Sequence, residues 1–210
     1  MKEYKKKHII FDLDGTLSDT AKATTVAMNE VGALYDLPEV SEIDIRSVMG
    51  FADPEFFYRL YPECPQEMLN EIRYKVNDLE DRIIESLGKS ILFPDIEELL
   101  NDLSEKGYVL YIASTGSTTH VHTTLKSSTI YHLFKGVHCN EPEKVNMVKG
   151  ITARHNKDEC IMVGDMSKDS DAAKANDILA LGAAFGYLTF EKYHLFDSIL
   201  QMPSDLYEYL

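Results

Sequence analysis

The chain has 210 residues, with 21 lysines and arginines against 35 aspartates and glutamates, a formal net charge of −14 at pH 7. That balance argues against nucleic-acid and anionic-membrane partners, because binding through bulk charge needs a cationic surface that displaces counterions or meets headgroups. At 44 % apolar residues, with nine phenylalanines and twelve tyrosines, the composition is that of a packed globular protein rather than an acidic disordered one.

Lys5-Lys6-Lys7 open the chain as a solvated basic start, and the apolar run His8-Ile9-Ile10-Phe11 is cut off by Asp12, far short of a signal peptide's core. No stretch approaches the ~18 apolar residues needed to cross a bilayer. Cys64, Cys139 and Cys160 are widely spaced and odd in number, which fits neither a disulfide framework nor a metal knuckle. The expected location is cytoplasmic.

His8 to Leu13 is predicted as a buried strand running into the acidic, glycine-containing turn Asp12-Leu13-Asp14-Gly15-Thr16. From about Asp19 to Ser90 no strand pattern occurs. Pro38, Pro54 and Pro62 separate short helices there, and Met68, Ile72, Val76, Leu79, Ile83 and Leu87 trace one face of a long helix framed by Pro65 and Gly88. Four helices are expected in this stretch. A helix over Asp95 to Lys106, with Ile96, Leu99, Leu100 and Leu103 on one side, stops at Gly107. Further strands are predicted at Tyr108 to Ala113, Cys160 to Gly164 and, more weakly, Ile178 to Leu181, with helical pattern between them. Such alternation predicts an α/β fold with a parallel sheet.

Asp12 and Asp14, at i and i+2, share one side of a strand end and can face one ligand; Gly15 permits a bend, and Thr16 offers a hydroxyl and an N–H to an anion. Asp165 follows the apolar run Ile161-Met162-Val163-Gly164, with Asp169 at the start of a helix. If the strands ending at Asp12 and Asp165 are neighbours, their carboxylates converge at the carboxyl edge of the sheet, and a hard divalent cation, Mg²⁺, relieves their repulsion. Ser114-Thr115-Gly116-Ser117 after the second strand forms an anion cradle, and Lys144 adds a point charge. Together these supply what phosphoryl transfer needs: a nucleophile, a metal, an acid/base, and donors for the phosphate oxygens.

In that order IIFDLDGTLSDT, ASTG, a lysine and VGDMSKDSDAAKA resemble the four motifs of the haloacid dehalogenase superfamily. The helical insertion after the first motif resembles the cap of the branch that holds phosphoglycolate phosphatase-like and β-phosphoglucomutase-like proteins. The resemblance implies a Rossmann-like core from residues 1–17 and 91–210, with an all-helical cap over 18–90. It implies Asp12 as the nucleophile that forms an aspartyl-phosphate, Asp14 as general acid/base with its backbone carbonyl on the metal, and Asp165 as the other metal ligand. Ser114, with Thr115 beside it, binds phosphate; Lys144 neutralises nucleophile and phosphate; Asp169 holds a metal-bound water or the lysine. Thr115 stands where many relatives carry Asn. Glu141-Pro142-Glu143-Lys144 lacks the K-P-x-P pattern of the branch, so Lys149, one turn on, stands as the alternative lysine. Asp14 excludes dehalogenation itself, since dehalogenases lack this second aspartate.

The implied activity is a Mg²⁺-dependent phosphatase on a small phosphorylated metabolite such as phosphoglycolate, working as a monomer or homodimer. A sugar-phosphate mutase shares every core residue. Arg46 is the insertion residue expected to meet a substrate carboxylate or second phosphate, or else a solvated arginine. A phosphonate-cleaving reading needs a Schiff-base lysine from Lys22, Lys75 or Lys89, and a catalytically silent binding module needs none of the motif residues. Phe56, Phe57, Tyr58, Tyr61 and Phe185-Gly186-Tyr187 are expected to pack. His120, His122, His132 and His138 are read as no metal site, because His120 and His122 point apart on a helix and no carboxylate or cysteine lies nearby in ligand spacing.

Overall fold

The computed structural model describes residues 7–210; Lys5 and Lys6 of the basic start lie outside them. Six strands, β1 (His8–Phe11), β2 (Val109–Ala113), β3 (Phe134–His138), β4 (Cys160–Gly164), β5 (Leu179–Ala183) and β6 (Ser198–Leu200), form one sheet in the order β3-β2-β1-β4-β5-β6. Every neighbouring pair is parallel. The apolar runs of β1, β2 and β4 are buried almost throughout, as central strands covered on both faces must be.

Between β1 and β2 lie five helices: α1 (Ala21–Ala33), α2 (Glu42–Val48), α3 (Glu55–Leu60), α4 (Gln66–Leu87) and α5 (Ile96–Glu105). Helices α6 (Thr118–Ser127), α7 (Lys144–Thr152) and α8 (Ser167–Ala175) follow the later strands. Side chains alternate along β1 and serve two cores. Ile9 and Phe11 pack with Leu100 and Leu103 of α5 and Val121 and Leu125 of α6, while Ile10 packs with Met147 and Val148 of α7 and Ala172 and Ala173 of α8. Helices α1 to α4 bury a cluster of their own, including Met28, Ile45, Phe57, Leu69, Ile72 and Val76. The chain leaves and rejoins the sheet layer along two segments paired side by side: the Asp19 N–H donates to the Ile91 carbonyl at 2.8 Å and the Phe93 N–H to the Leu17 carbonyl at 3.0 Å.

Several boundaries differ from expectation. β1 stops at Phe11 because the Leu17 and Ser18 amides both turn back to the Leu13 carbonyl, closing a loop where a longer strand was expected. β3 and β6 had no sequence signal: FKGVH carries a lysine and a glycine, and β6 has only three residues. Both are edge strands, which need less apolar pattern than central ones. α8 begins at Ser167, so Asp169 sits inside its first turn. The buried stripe of α4 is Leu69, Ile72, Val76, Glu80 and Ile84, rotated from the expected face; Met68 and Leu87 are exposed.

Candidate active site

Because β1 lies between β2 and β4, three adjacent strand ends deliver Asp12, Ser114 and Asp165 to one edge of the sheet. The expectation that the strands before Asp12 and Asp165 are neighbours is met, and the Asp12 N–H donates to the Val163 carbonyl at 2.9 Å. Lys144, the first residue of α7, is buried, with its Nζ 2.6 Å from Asp12 Oδ1 and 2.6 Å from Asp169 Oδ1. Lys149 lies exposed in the last turn of the same helix. Asp169 Oδ2 accepts from the amides of Asp165 (3.2 Å) and Met166 (2.9 Å), folding α8 back onto the end of β4. Only glycine fits at 164, where a Cβ would stand 2.1 Å from Asp169 Cγ. Gly15, at φ +81°, makes the expected bend, and a Cβ there would meet Asp165 Oδ2 at 2.6 Å.

Carboxylate oxygens of Asp12, Asp165 and Asp169 lie within 4.8 Å of one another, all three buried. With every carboxylate ionised, three against one ammonium would leave a charge of −2 in a low-dielectric pocket, which the site resists. Burial, then the charge of Asp169, raises Asp12 to about 7 against the pull of Lys144. Burial, then Asp12 and Asp169, pushes Asp165 well above the usual carboxylate range. Asp165 Oδ1 accepts from the Thr16 hydroxyl at 3.0 Å, whereas its Oδ2 is buried with no hydrogen-bond partner. An orphaned buried carboxylate oxygen within a set of three clustered carboxylates, which resist ionising together, fits a hard divalent cation.

The Asp14 carboxylate stands outside this trio. Its Oδ1 accepts from the Thr20 hydroxyl at 2.9 Å and from His120 Nε2 at 3.0 Å. On the other side of the imidazole, Nδ1 is 3.8 Å from Asp81 Oδ1 and 4.0 Å from Glu80 Oε2, both on α4. Burial favours neutral Asp14, but the charge and hydrogen bond of His120, then the Thr20 bond, hold it below its ordinary value. Burial would likewise lower His120; Asp14 first, then Glu80 and Asp81, push it up instead, to about 10. The grouping of His120 with Glu80 and Asp81 has no counterpart in the sequence expectations, which set His120 aside with the other histidines. His122 does face elsewhere, its ring against Tyr131, but carboxylates do surround His120, brought from 106 residues away by the sheet and from the facing helix. Glu80 left one legible trace: it occupies an apolar-stripe position of α4.

A cavity of about 90 Å³ opens here between the strand ends and the segment of α1 to α4. Asp12, Asp14, Ser114, Thr115 and His120 line it from the sheet; Phe51, Asp53, Phe57, Asn77, Glu80 and Asp81 line it from the helices. No lysine or arginine lines it among the described residues. Ser114 is buried, its Oγ accepting from the Gly116 N–H at 3.1 Å, which leaves its O–H to donate.

Three expectations need correction. The Thr115 hydroxyl donates to the Gly50 carbonyl at 3.1 Å, tying the β2 loop to the helical segment, so its proton is not offered to a phosphate. Thr16 is fully buried and spends its hydroxyl on Asp165 rather than on a substrate anion. Arg46 lies outside the cavity, paired with Glu42, 3.6 Å from Asp19, and stacked 4.6 Å over the Tyr187 ring. Neither Lys22, Lys75 nor Lys89 lines the cavity, and Lys75 and Lys89 pair with Glu71 and Glu97. Phe56, Phe57 and Tyr61 pack in the helical cluster as expected, although Phe56 and Phe57 also reach the cavity. No helix is long and apolar enough to cross a membrane among the described residues.

The family profile described as haloacid dehalogenase-like hydrolase matches residues 9–183. A phosphoglycolate phosphatase of Vibrio cholerae is 26 % identical over 193 residues, 86 % of this chain and 85 % of its own. Among solved structures, a haloacid dehalogenase-like hydrolase of Streptococcus pneumoniae superposes with a TM-score of 0.82 at 24 % identity, covering 97 % of this chain and 98 % of that one. A β-phosphoglucomutase of Clostridium difficile superposes with a TM-score of 0.78 at 18 % identity, covering 96 % and 93 %.

Proposed function

The chain belongs to the haloacid dehalogenase-like hydrolases, and from that premise we propose that it is a Mg²⁺-dependent phosphatase of a small phosphomonoester, acting through an aspartyl-phosphate on Asp12. The observation that carries this reading is the buried trio Asp12, Asp165 and Asp169, with one Asp165 oxygen left without a hydrogen-bond partner and Lys144 bonded to Asp12. Mg²⁺ would be held by Asp12 and Asp165, with Asp169 and the Asp14 carbonyl beside them, and when bound it supplies the positive charge that lets a carboxylate approach a phosphate dianion.

The chain's own groups then divide the work. An Asp12 carboxylate oxygen attacks phosphorus while the bond from phosphorus to the substrate oxygen breaks, and Asp14, in the protonated form that His120 disfavours, gives that oxygen its proton. Water, losing a proton to Asp14, next attacks the phosphorus of the aspartyl-phosphate; the bond to Asp12 breaks and phosphate leaves. Lys144 offsets the charge of Asp12 in both steps, and the Ser114 hydroxyl donates to a phosphate oxygen. Residues 18–90 act as a cap over a core of 1–17 and 91–210. The separate apolar cluster of α1 to α4 supports that division, and the paired segments at Leu17–Asp19 and Ile91–Phe93 would serve as its hinge.

Hydrolysis fits the cavity better than sugar-phosphate isomerisation. A bisphosphate bound for a mutase presents a second phosphate away from the reacting one, and such groups are held by guanidinium or ammonium ions, which the helical wall lacks among its described lining residues. The volume, far below the ~300 Å³ of sites for drug-sized ligands, suits a small alcohol as the leaving half. Phosphate release from phosphoglycolate, glycerol phosphates and hexose phosphates, with Mg²⁺ or EDTA, tests the proposal. Metal-dependent release that disappears in Asp12→Asn is expected, and release that survives either EDTA or the substitution would refute it.

A further inference from the structure

We propose that His120 is a positioning residue for Asp14: with Nδ1 facing Asp81 and Glu80 of α4 at 3.8 and 4.0 Å, it donates Nε2–H to Asp14 Oδ1 and so leaves Oδ2 as the oxygen turned to the substrate. The inference rests on the reading of Asp14 as general acid/base and goes beyond it by assigning the group that sets its geometry.

Both hydrogen bonds to Asp14 fall on Oδ1, from Thr20 at 2.9 Å and His120 at 3.0 Å. A carboxyl group fixed at one oxygen by two donors from different directions has its plane set, and its second oxygen is the one available to a ligand in the cavity that Asp14 lines. The imidazole is placed with equal care. Ser117 Oγ caps α6 by accepting from the His120 N–H at 3.2 Å, and the residue ahead of it is a glycine, where a Cβ would stand 3.2 Å from His120 Cδ2. His120 is 14 % exposed in its side chain and faces two carboxylates on its far side, of which Glu80 also accepts from the Thr24 hydroxyl. Glu80, Asp81 and Thr24 all belong to the helical segment, whereas His120 and Asp14 belong to the sheet layer. The imidazole therefore stands between the carboxylates of that segment and the proposed acid, beside the direct bond from Thr20, and the acid's orientation depends on the helices being docked.

Leaving-group chemistry separates positioning of an acid from general support of the fold. A p-nitrophenolate departs without a proton, whereas an alkoxide does not, so kcat/KM for an alkyl phosphate depends on the acid and that for p-nitrophenyl phosphate does not. In His120→Leu, with Mg²⁺ present, kcat/KM for glycerol 3-phosphate should fall on the order of 10–100-fold, part of the ~10²–10⁴ that general acid catalysis contributes, with less than about a 3-fold change for p-nitrophenyl phosphate. His120→Gln, whose amide nitrogen can reach the place of Nε2, should recover most of the loss. The pair Glu80→Gln and Asp81→Asn should show the same substrate split in weaker form. Equal losses on both phosphates in a variant whose thermal unfolding matches the wild type, or no loss on the alkyl phosphate, would overturn the role while leaving the phosphatase reading intact. If the wild type releases no phosphate from either compound, the acid and its positioning residue fall together.

Discussion

Asp165 is a costly residue for the fold: one oxygen is satisfied by Thr16 and the other is buried without a partner beside two more carboxylates. Asp165→Asn should therefore stabilise the metal-free protein by about 1–3 kcal/mol, the cost of an unsatisfied buried polar group, while abolishing metal-dependent turnover. Chemical denaturation in EDTA checks the first half, and a variant less stable than the wild type would show that the carboxylate is compensated. Asp12 and Asp165 both have folded-state pKa values raised above those of the unfolded chain, Asp12 to about 7. Across that interval the folded state binds more protons than the unfolded one, so the slope of stability with pH is negative. Stability of the metal-free protein should accordingly fall as pH climbs from about 4 through about 7. Because a metal competes with those protons, the rise in melting temperature on adding Mg²⁺ should be larger at pH 8 than at pH 5.5. Equal shifts at the two values, read by scanning fluorimetry, would count against a carboxylate metal site.

Among the elements, the loop after β5 has the clearest structural duty. Tyr187 reaches the start of the helical segment, its hydroxyl donating to Asp19 Oδ1 at 2.6 Å and accepting from the Ala21 N–H at 2.8 Å. Its ring packs edge-on against Phe93 and beneath the Arg46 guanidinium, joining both linker segments to the sheet. Tyr187→Phe removes both hydrogen bonds and keeps the ring, so a loss of about 1–2 kcal/mol is expected, a drop of roughly 2–8 °C in melting temperature. An unchanged melting temperature would mean the hydroxyl bonds add nothing to holding the linker. The elements also show what the sequence disclosed. β1, β2 and β4 were legible because central parallel strands are apolar on both faces, and α5 because four apolar residues at helical spacing end at Gly107. β3 and β6 were not, since edge strands tolerate Lys135, Gly136 and very short length. On α4 the apolar periodicity is legible but fits two adjacent faces, through Met68 and Leu79 or through Leu69 and Glu80, and the second, with its buried acid, is the one that packs. Asp12, Ser114, Lys144 and Asp165 stand next to strand ends or at a helix start, so local pattern brought them together. His120 is bonded to Asp14 and faces Glu80 and Asp81, neighbours it acquires only once the helical segment packs over the sheet, and no local pattern encodes them.

At the scale of the whole molecule, the acidic balance extends into the cavity. The helical wall presents Asp53, Glu80, Asp81 and Asn77 with phenylalanines between them, and no lysine or arginine among the described lining residues. Anionic groups on the alcohol half of a substrate would meet carboxylates there, at a cost set by low dielectric. Of a size-matched pair, 2-hydroxyethyl phosphate should be turned over with a kcat/KM about 10-fold or more above that of phosphoglycolate, the equivalent of ~1.4 kcal/mol in transition-state binding. A preference for phosphoglycolate would mean that the substrate carboxylate finds a cation, either His120 in the cavity or Arg46, the cation nearest in sequence to the lining residues Met49 to Asp53. Covalent attack by Asp12 can be trapped chemically. Borohydride reduces an aspartyl-phosphate to homoserine, and peptide mass spectrometry locates the change. Enzyme quenched during turnover with Mg²⁺ should carry homoserine at position 12 and nowhere else, and should carry none with EDTA. Steady phosphate release with an unmodified Asp12, or reduction at another carboxylate, would contradict the account.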